Sequence, residues 1–405
     1  MSHDRSNPGA LASLKVIDAS RVLGGPYAGQ ILADHGADVI KIEPPQGDET
    51  RGWGPPFLDE TASYFLGLNR NKRGMALDMA QPAGQELLLR LLEDTDVFIE
   101  NFKAGTLEKW GLSAEALAER FPRLVHCRVS GFGSDGPYGG MPGYDAAIQA
   151  TCGIMSVNGE AGGEPLRVGL PVVDMVTGLN AVIGILMALN ERNQSGKGQF
   201  VETALYDCGF SLLHPHLPNF YLSGKVAGTS GNAHPNICPY DTYRTATTPI
   251  FLAVGNNRQF ETLCRLIGRE DIPREARFAT NGNRNAHRDA LKIELEAALA
   301  SHACVDIAKQ LIEAGVPCGA VRSIDEVAAD PHTIHRGMVV DIGEYRGTGS
   351  PIKLSRTPAS YRDKPPGFAQ HTLDILEERV IDPGEYADVL PGLDPAPAAL
   401  AAAKI

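Results

Sequence analysis

The sequence has no C-x-x-C pair. Its seven cysteines, Cys127, Cys152, Cys208, Cys238, Cys264, Cys304 and Cys318, stand at least 14 residues apart. That spacing and the odd total argue against a local zinc-thiolate or dithiol centre and fit reduced thiols. It also lacks a surplus of basic charge: 37 Lys and Arg stand against 49 Asp and Glu, a net charge of -12. Neither a nucleic acid nor an anionic membrane surface is therefore an expected partner. No G-x-x-x-x-G-K-S/T, H-E-x-x-H or G-x-S-x-G run is present, and Ser130 in particular lacks the last. Phosphate-loop, zincin and hydrolase-elbow chemistry are excluded with them. Residues 1–10 carry no apolar run, so no secretory leader is expected and the cytoplasm is the expected location. No internal repeat is evident.

What is present reads as globular, with 43% apolar and 21% charged residues. Leu14 to Asp18 reads as a strand, Gly24-Gly25-Pro26 as a turn, Tyr27 to His35 as a helix and Asp38 to Ile42 as the next strand. Helix and strand patterns then repeat at Ala83 to Glu93 with Asp96 to Ile99, and at Ser113 to Phe121 with Leu124 to Val129. The expected fold is α/β, with a doubly wound parallel sheet whose strand carboxyl ends face the ligand. Residues 11–210 form the N-terminal part of this large Rossmann-like domain. Prolines 215, 218 and 235 and glycines 224, 228 and 231 mark 211–235 as a linker. Strand patterns within Tyr243 to Val254 and helices at Gln259 to Ile267, Asn285 to Ala300 and Cys304 to Ala314 make 236–325 a smaller α+β domain. Residues 326–405 return to the large domain and end in a loose tail. Leu170 to Leu189 holds 20 residues with one charge, Asp174. Pro171, Gly178 and that aspartate disfavour a membrane span, so a helix buried on all sides is expected.

Several groups have two readings. Gly131-x-Gly133-x-x-Gly136 fits a dinucleotide fingerprint, with Glu43 as a ribose-binding acid. Pro137 to Pro142 cannot open the required helix, which favours a glycine-rich surface loop. His214 and His216, and His332 and His335, have no Cys or carboxylate at ligand spacing, so no metal is expected. Arg70, Lys72 and Arg73, with Arg51, Lys103 and Lys109 elsewhere in the domain, form either a solvated loop or a site for a phosphorylated small molecule. Asp174 is either a plain N-cap or first-turn aspartate, or a partly desolvated carboxylate that the helix dipole keeps ionised. The second state is a competent nucleophile.

Taken together, Arg21 to Tyr27, Gly36 to Pro44, Asn69 to Gly74, Glu100 to Phe102, Ser130 to Gly133, Gly143 to Asp145, and Asp174 with Thr177-Gly178 resemble the class III CoA-transferases. That family includes formyl-CoA transferase and carnitine CoA-transferase. The likeness runs in order and spacing from about Leu14 to about Leu376. Thr50 to Pro56 and Val254 to Phe260 look most like the succinyl-CoA-dependent dicarboxylate enzymes.

The resemblance implies transfer of CoA from an acyl-CoA, succinyl-CoA above all, to a small carboxylic acid. Asp174 would be the nucleophile, acting through aspartyl anhydride and aspartyl-CoA thioester intermediates, with no tightly bound cofactor. It implies that Leu23 and Gly24 line the thioester end and that Leu77 and Met79 flank the adenine. Asn101, Phe102, Lys103 and Lys109 would hold the nucleotide, and Gly143, Tyr144 and Asp145 would lie beside the nucleophile. It further implies an interlocked homodimer and a gating loop at Gly228 to Pro235. Acyl-CoA racemases of the same fold carry histidine at the position of Tyr144, and formyl-CoA transferases carry glutamine at that of Leu23. These remain the alternatives.

Overall fold

The computed structural model describes residues 9–392. They form two compact units. The first comprises residues up to 152, 169–212 and from 332 onward; the second comprises 153–168 and 213–331. The sequence placed the crossings at 210/211 and 325/326. The early excursion of 153–168, which begins at Gly153 with φ +99°, has no counterpart in that reading.

The first unit is built on β1 (Lys15–Asp18), β2 (Asp38–Glu43), β3 (Lys72–Ala76), β4 (Val97–Glu100), β5 (Val125–Ser130) and β6 (Phe200–Ala204). They form one parallel sheet in the order β3-β2-β1-β4-β5-β6. The order reverses between β1 and β4, and that is where an open α/β sheet leaves a crevice at its carboxyl edge. Helices α1 (Gly24–Asp34), α2 (Pro82–Leu92) and α3 (Ala114–Arg120) connect the strands. Proline at the first helical position starts α2, and Leu87, Leu88, Leu91 and Leu92 form its buried face. Each such leucine contributes about 1.5–3 kcal/mol by leaving water. They share a core with Ile40, Met75 and Phe98, and with Ile375 and Leu376 from the C-terminal segment.

Two local readings are corrected. Gly24-Gly25-Pro26 is not a turn before the helix but its first turn, where a proline without an N–H costs nothing. Glycine is needed there because a Cβ on Gly25 would collide with Ser20 Oγ. Arg70, Lys72 and Arg73 are neither a solvated loop nor a phosphate site. Arg70 donates to both carboxylate oxygens of Asp34, and Arg73 pairs with Asp38 and Glu378. Lys72, on β3, donates to Asp18 Oδ2 at 2.8 Å, Pro26 O at 2.7 Å and Asn69 Oδ1 at 2.9 Å. Burial alone would raise Asp18, but Lys72 and Lys41 outweigh it and hold the carboxyl below its usual range.

The long apolar segment is the 24-residue helix between Val172 and Ser195. It is buried on one side only. Val173, Thr177, Ala181, Ile185 and Arg192 face inward, whereas Leu179, Ile183, Leu186 and Met187 are exposed, the last by 67%. Gly178 lets α1 approach this helix, since a Cβ there would stand 2.6 Å from the Gly24 carbonyl oxygen.

The second unit carries a three-stranded antiparallel sheet in which Ile250–Ala253 lies between Tyr240–Tyr243 and Cys318–Ala320. Helices Asn257–Leu266, Arg288–Leu299 and Cys304–Glu313 cover it. Arg284 is fully buried here, with its guanidinium 4.4 Å from the Phe260 ring and bonded to the carbonyls of Cys238 and Phe278. The segment read as a linker contains a helix, His216–Ser223.

Candidate functional site

The crevice between β1 and β4 is held rigidly. The Asn101 side chain accepts from the Arg21 backbone N–H at 2.9 Å and donates to the Arg21 carbonyl at 2.8 Å. Glu100, wholly buried, accepts from the Phe102 N–H at 2.9 Å and from Arg128 Nε at 2.6 Å, and sits 3.1 Å from His126 Nε2. These contacts fix the two chain segments that leave the sheet at its switch point.

Two cavities open there, both within the first unit. One, of about 260 Å³, is lined among others by Leu23, Gly24, Asn101, Gly143, Tyr144 and Asp174. The other, of about 430 Å³, is lined among others by Ala19, Leu77, Met79 and Trp110. Arg21, Phe102 and Lys103 line both.

Asp174 is the third residue of its helix and is 9% exposed. The expectation that the helix dipole keeps it ionised is corrected by the position of a second carboxylate. Asp145, which opens helix α4 (Asp145–Thr151), accepts at Oδ2 from the backbone N–H groups of Val173 at 2.8 Å and Asp174 at 3.1 Å. Its Oδ1 accepts from Gln149 Nε2 at 2.6 Å. Asp145 therefore takes the helix-capping role, and the Asp174 carboxylate accepts no hydrogen bond from any described residue. Burial, and then the Asp145 charge, push the Asp174 carboxyl up to about 7. A carboxylate of this kind, on a cavity wall with its lone pairs uncommitted, can attack an activated carbonyl once ionised.

The cavities bring together most of the residues the sequence singled out. Leu23, Gly24, Gly143 and Tyr144 share the Asp174 cavity, Leu77 and Met79 the other. Asp145 lies behind the nucleophile candidate, 8% exposed. Lys109 does not join them. It is exposed on the short helix Thr106–Lys109 and lines neither cavity, because Thr106 and Trp110, four residues apart on one side, occupy the wall. The glycines at 131 and 133 line the Asp174 cavity and no helix follows them. A Cβ on Gly131 would stand 2.7 Å from Gly143 N, so the run serves close backbone approach rather than a dinucleotide. The expected gating loop belongs to the second unit, where Gly231 N bonds Gly159 O at 2.9 Å. Among the described residues no group of three or more His, Cys, Asp or Glu converges as a metal site would require.

Tyr64 went unnoticed in the sequence, and Trp53 was visible only inside the run Thr50 to Pro56. Trp53 packs edge-on to Tyr64 at 5.2 Å and lies 6.5 Å from Tyr144. The Tyr64 hydroxyl is pushed up to about 12, by burial and then by the charges of Asp174 and Asp145, which sets it in the field of the candidate nucleophile. Trp53 follows a turn that Asp48 caps, and Asp48 is itself bonded to buried Lys41 at 3.0 Å. Arg21 was visible only as part of a motif.

The CoA-transferase family III model matches residues 11–372. A succinate–glutarate CoA-transferase of Agrobacterium fabrum is 40% identical over 384 residues, covering 91% of this chain and 95% of that protein. A succinyl-CoA:mesaconate CoA-transferase of Haloarcula hispanica is 36% identical, over 93% of this chain and 98% of that protein. The crystal structure of a CAIB/BAIF family protein from Brucella suis superposes with a TM-score of 0.82 at 41% identity, over 92% of this chain and 100% of that one.

Proposed function

The chain belongs to CoA-transferase family III and is a CoA-transferase, and from that premise we propose that it moves CoA from succinyl-CoA to a small dicarboxylic acid through Asp174. The observation that carries the proposal is the uncommitted Asp174 carboxylate on the wall of the switch-point cavity. The names of the relatives that act on glutarate and mesaconate support dicarboxylates as acceptors.

Ionised Asp174 attacks the thioester carbonyl; the C–S bond breaks, and a succinyl-aspartyl anhydride and CoA thiolate result. The thiolate attacks the aspartyl carbonyl and releases succinate, leaving an aspartyl-CoA thioester. The acceptor carboxylate attacks that carbonyl and again expels thiolate. The thiolate then takes the acceptor acyl group and returns Asp174 as carboxylate. Every intermediate is prone to hydrolysis, so the site must exclude water, and the apolar neighbours Leu23, Val129 and Leu205 on the cavity wall serve that end. Phe102, Leu77 and Met79 give the second cavity a surface on which the adenine can rest.

Incubation with succinyl-CoA and glutarate, mesaconate, citramalate, malate, itaconate or oxalate, with thioesters followed by mass spectrometry, tests the reading. New thioesters absent from Asp174→Ala are expected. Entry of solvent deuterium at the α-carbon without exchange would instead indicate a racemase.

We also propose that the chain acts as an interlocked homodimer. The exposed stripe of Leu179, Ile183, Leu186 and Met187 is a surface that a second copy would cover. Light scattering should give twice the chain mass, and a monomer would refute it.

A further inference from the structure

Three cationic side chains line the two cavities: Arg21, Lys103 and Arg128. Arg128 is spent, because its guanidinium pairs with Glu100 at 2.6 Å and Glu108 at 3.3 Å. Arg21 is different. Its guanidinium, partly buried, makes no hydrogen bond, ion pair or ring contact with any described residue. Arg51, Arg70, Arg73 and Arg192 of the same unit are each ion-paired. The backbone of Arg21 is at the same time fastened on both sides by Asn101. A planar five-donor fork is thus held at the waist between the cavities with nothing in the protein to satisfy it. Such a fork is matched by a phosphate or carboxylate oxygen pair.

We propose that Arg21, together with Lys103, holds an oxyanion of the acyl-CoA where the ligand passes from one cavity to the other. The proposal rests on the functional reading above and deepens it. Two kinds of oxyanion of that substrate are candidates, the CoA phosphates and the far carboxylate of a dicarboxylic acyl group. Lys103 lines both cavities and is exposed, so it adds charge without fixing geometry.

Arg21→Met and Arg21→Lys should fold, since Asn101 grips only the backbone of residue 21, and unchanged thermal melting checks this. For each protein, free CoA binding is measured by calorimetry. The KM for succinyl-CoA and for succinyl-pantetheine and the inhibition constant of propionyl-CoA are then determined. Arg21→Met is expected to weaken the gripped ligands by about ten- to a hundredfold, with kcat little altered and partial recovery in Arg21→Lys. A loss shared by free CoA, succinyl-CoA and propionyl-CoA but absent for succinyl-pantetheine assigns the CoA phosphates. A loss confined to the two succinyl thioesters assigns the acyl carboxylate. Constants all within twofold of the wild type overturn the proposal. A wild-type protein that neither binds CoA nor transfers it overturns the functional reading first, and this proposal with it.

Discussion

Replacing Asp174 by asparagine should make the protein more stable, and by an amount that depends on pH. Folding moves this carboxyl from 3.8 to about 7, which strengthens its hold on a proton in the native state. The native state is therefore favoured while the group is protonated. That contribution is complete below about pH 4, drains as pH rises, and is gone above about pH 7. A shift of roughly 3 units at 1.36 kcal/mol each amounts to about 4 kcal/mol. Asparagine has nearly the same shape and never ionises, so Asp174→Asn should resemble the wild type near pH 4. Its advantage should reach about 4 kcal/mol at pH 8, with some 2–3 kcal/mol of that appearing between pH 5 and pH 8. The protein has two tryptophans, Trp53 and Trp110, both in the first unit. Urea unfolding followed by their fluorescence thus reports the unit that carries the site. A difference between variant and wild type that stays constant from pH 5 to pH 8 would show that Asp174 titrates at an ordinary value, and the account of its environment would be wrong.

On the proposed mechanism the same carboxyl would set the pH profile of turnover: kcat/KM for succinyl-CoA should rise about tenfold per unit below pH 7 and level off above it, as the ionised fraction does. Asp145→Asn removes the nearby charge but not the burial that is the larger cause, so the inflexion should move down and remain above 4; an unmoved profile would exclude that coupling. Leu91→Ala, in the fully buried face of α2, should cost about 2–5 kcal/mol in the fluorescence-monitored unfolding while leaving the pH profile unshifted. Gly178→Ala should push the helix that carries Asp174 away from α1 and lower both kcat and the melting temperature, because the Cβ meets the Gly24 carbonyl.

Much of the scaffold was legible because alternating strand and helix patterns are local, and the segments now β1, β2, β4 and β5 were read to within a residue or two. Strand β3 was missed for a non-local reason. Its first two residues, Lys72 and Arg73, and Arg70 just before it are charged, and only the fold supplies Asp18, Asp38 and Asp34 to neutralise them. The edge strand β6, Phe-Val-Glu-Thr-Ala with Phe200 and Glu202 exposed, carries too short a pattern to stand out. At the site, Asp174 and its position near the start of a long helix were visible. That a different aspartate, 29 residues earlier, would take up the helix N–H groups was not. Nor could spacing distinguish Lys109 from Thr106 and Trp110, since which side of a single turn faces a cavity is decided by packing.

Arg21, Phe102 and Lys103 belong to both cavities, and Asn101 binds the segment after β1 to the segment after β4. The two chambers therefore meet where the segment leaving β1 is tied to the segment leaving β4. On the proposed mechanism, a ligand anchored in the chamber of Leu77 and Met79 would bring its reactive carbonyl to Asp174 only if the connecting arm had the right length. The site would then work as a gauge: a carrier whose arm is shortened by a few bonds would be held correctly at one end and remain unreactive at the other.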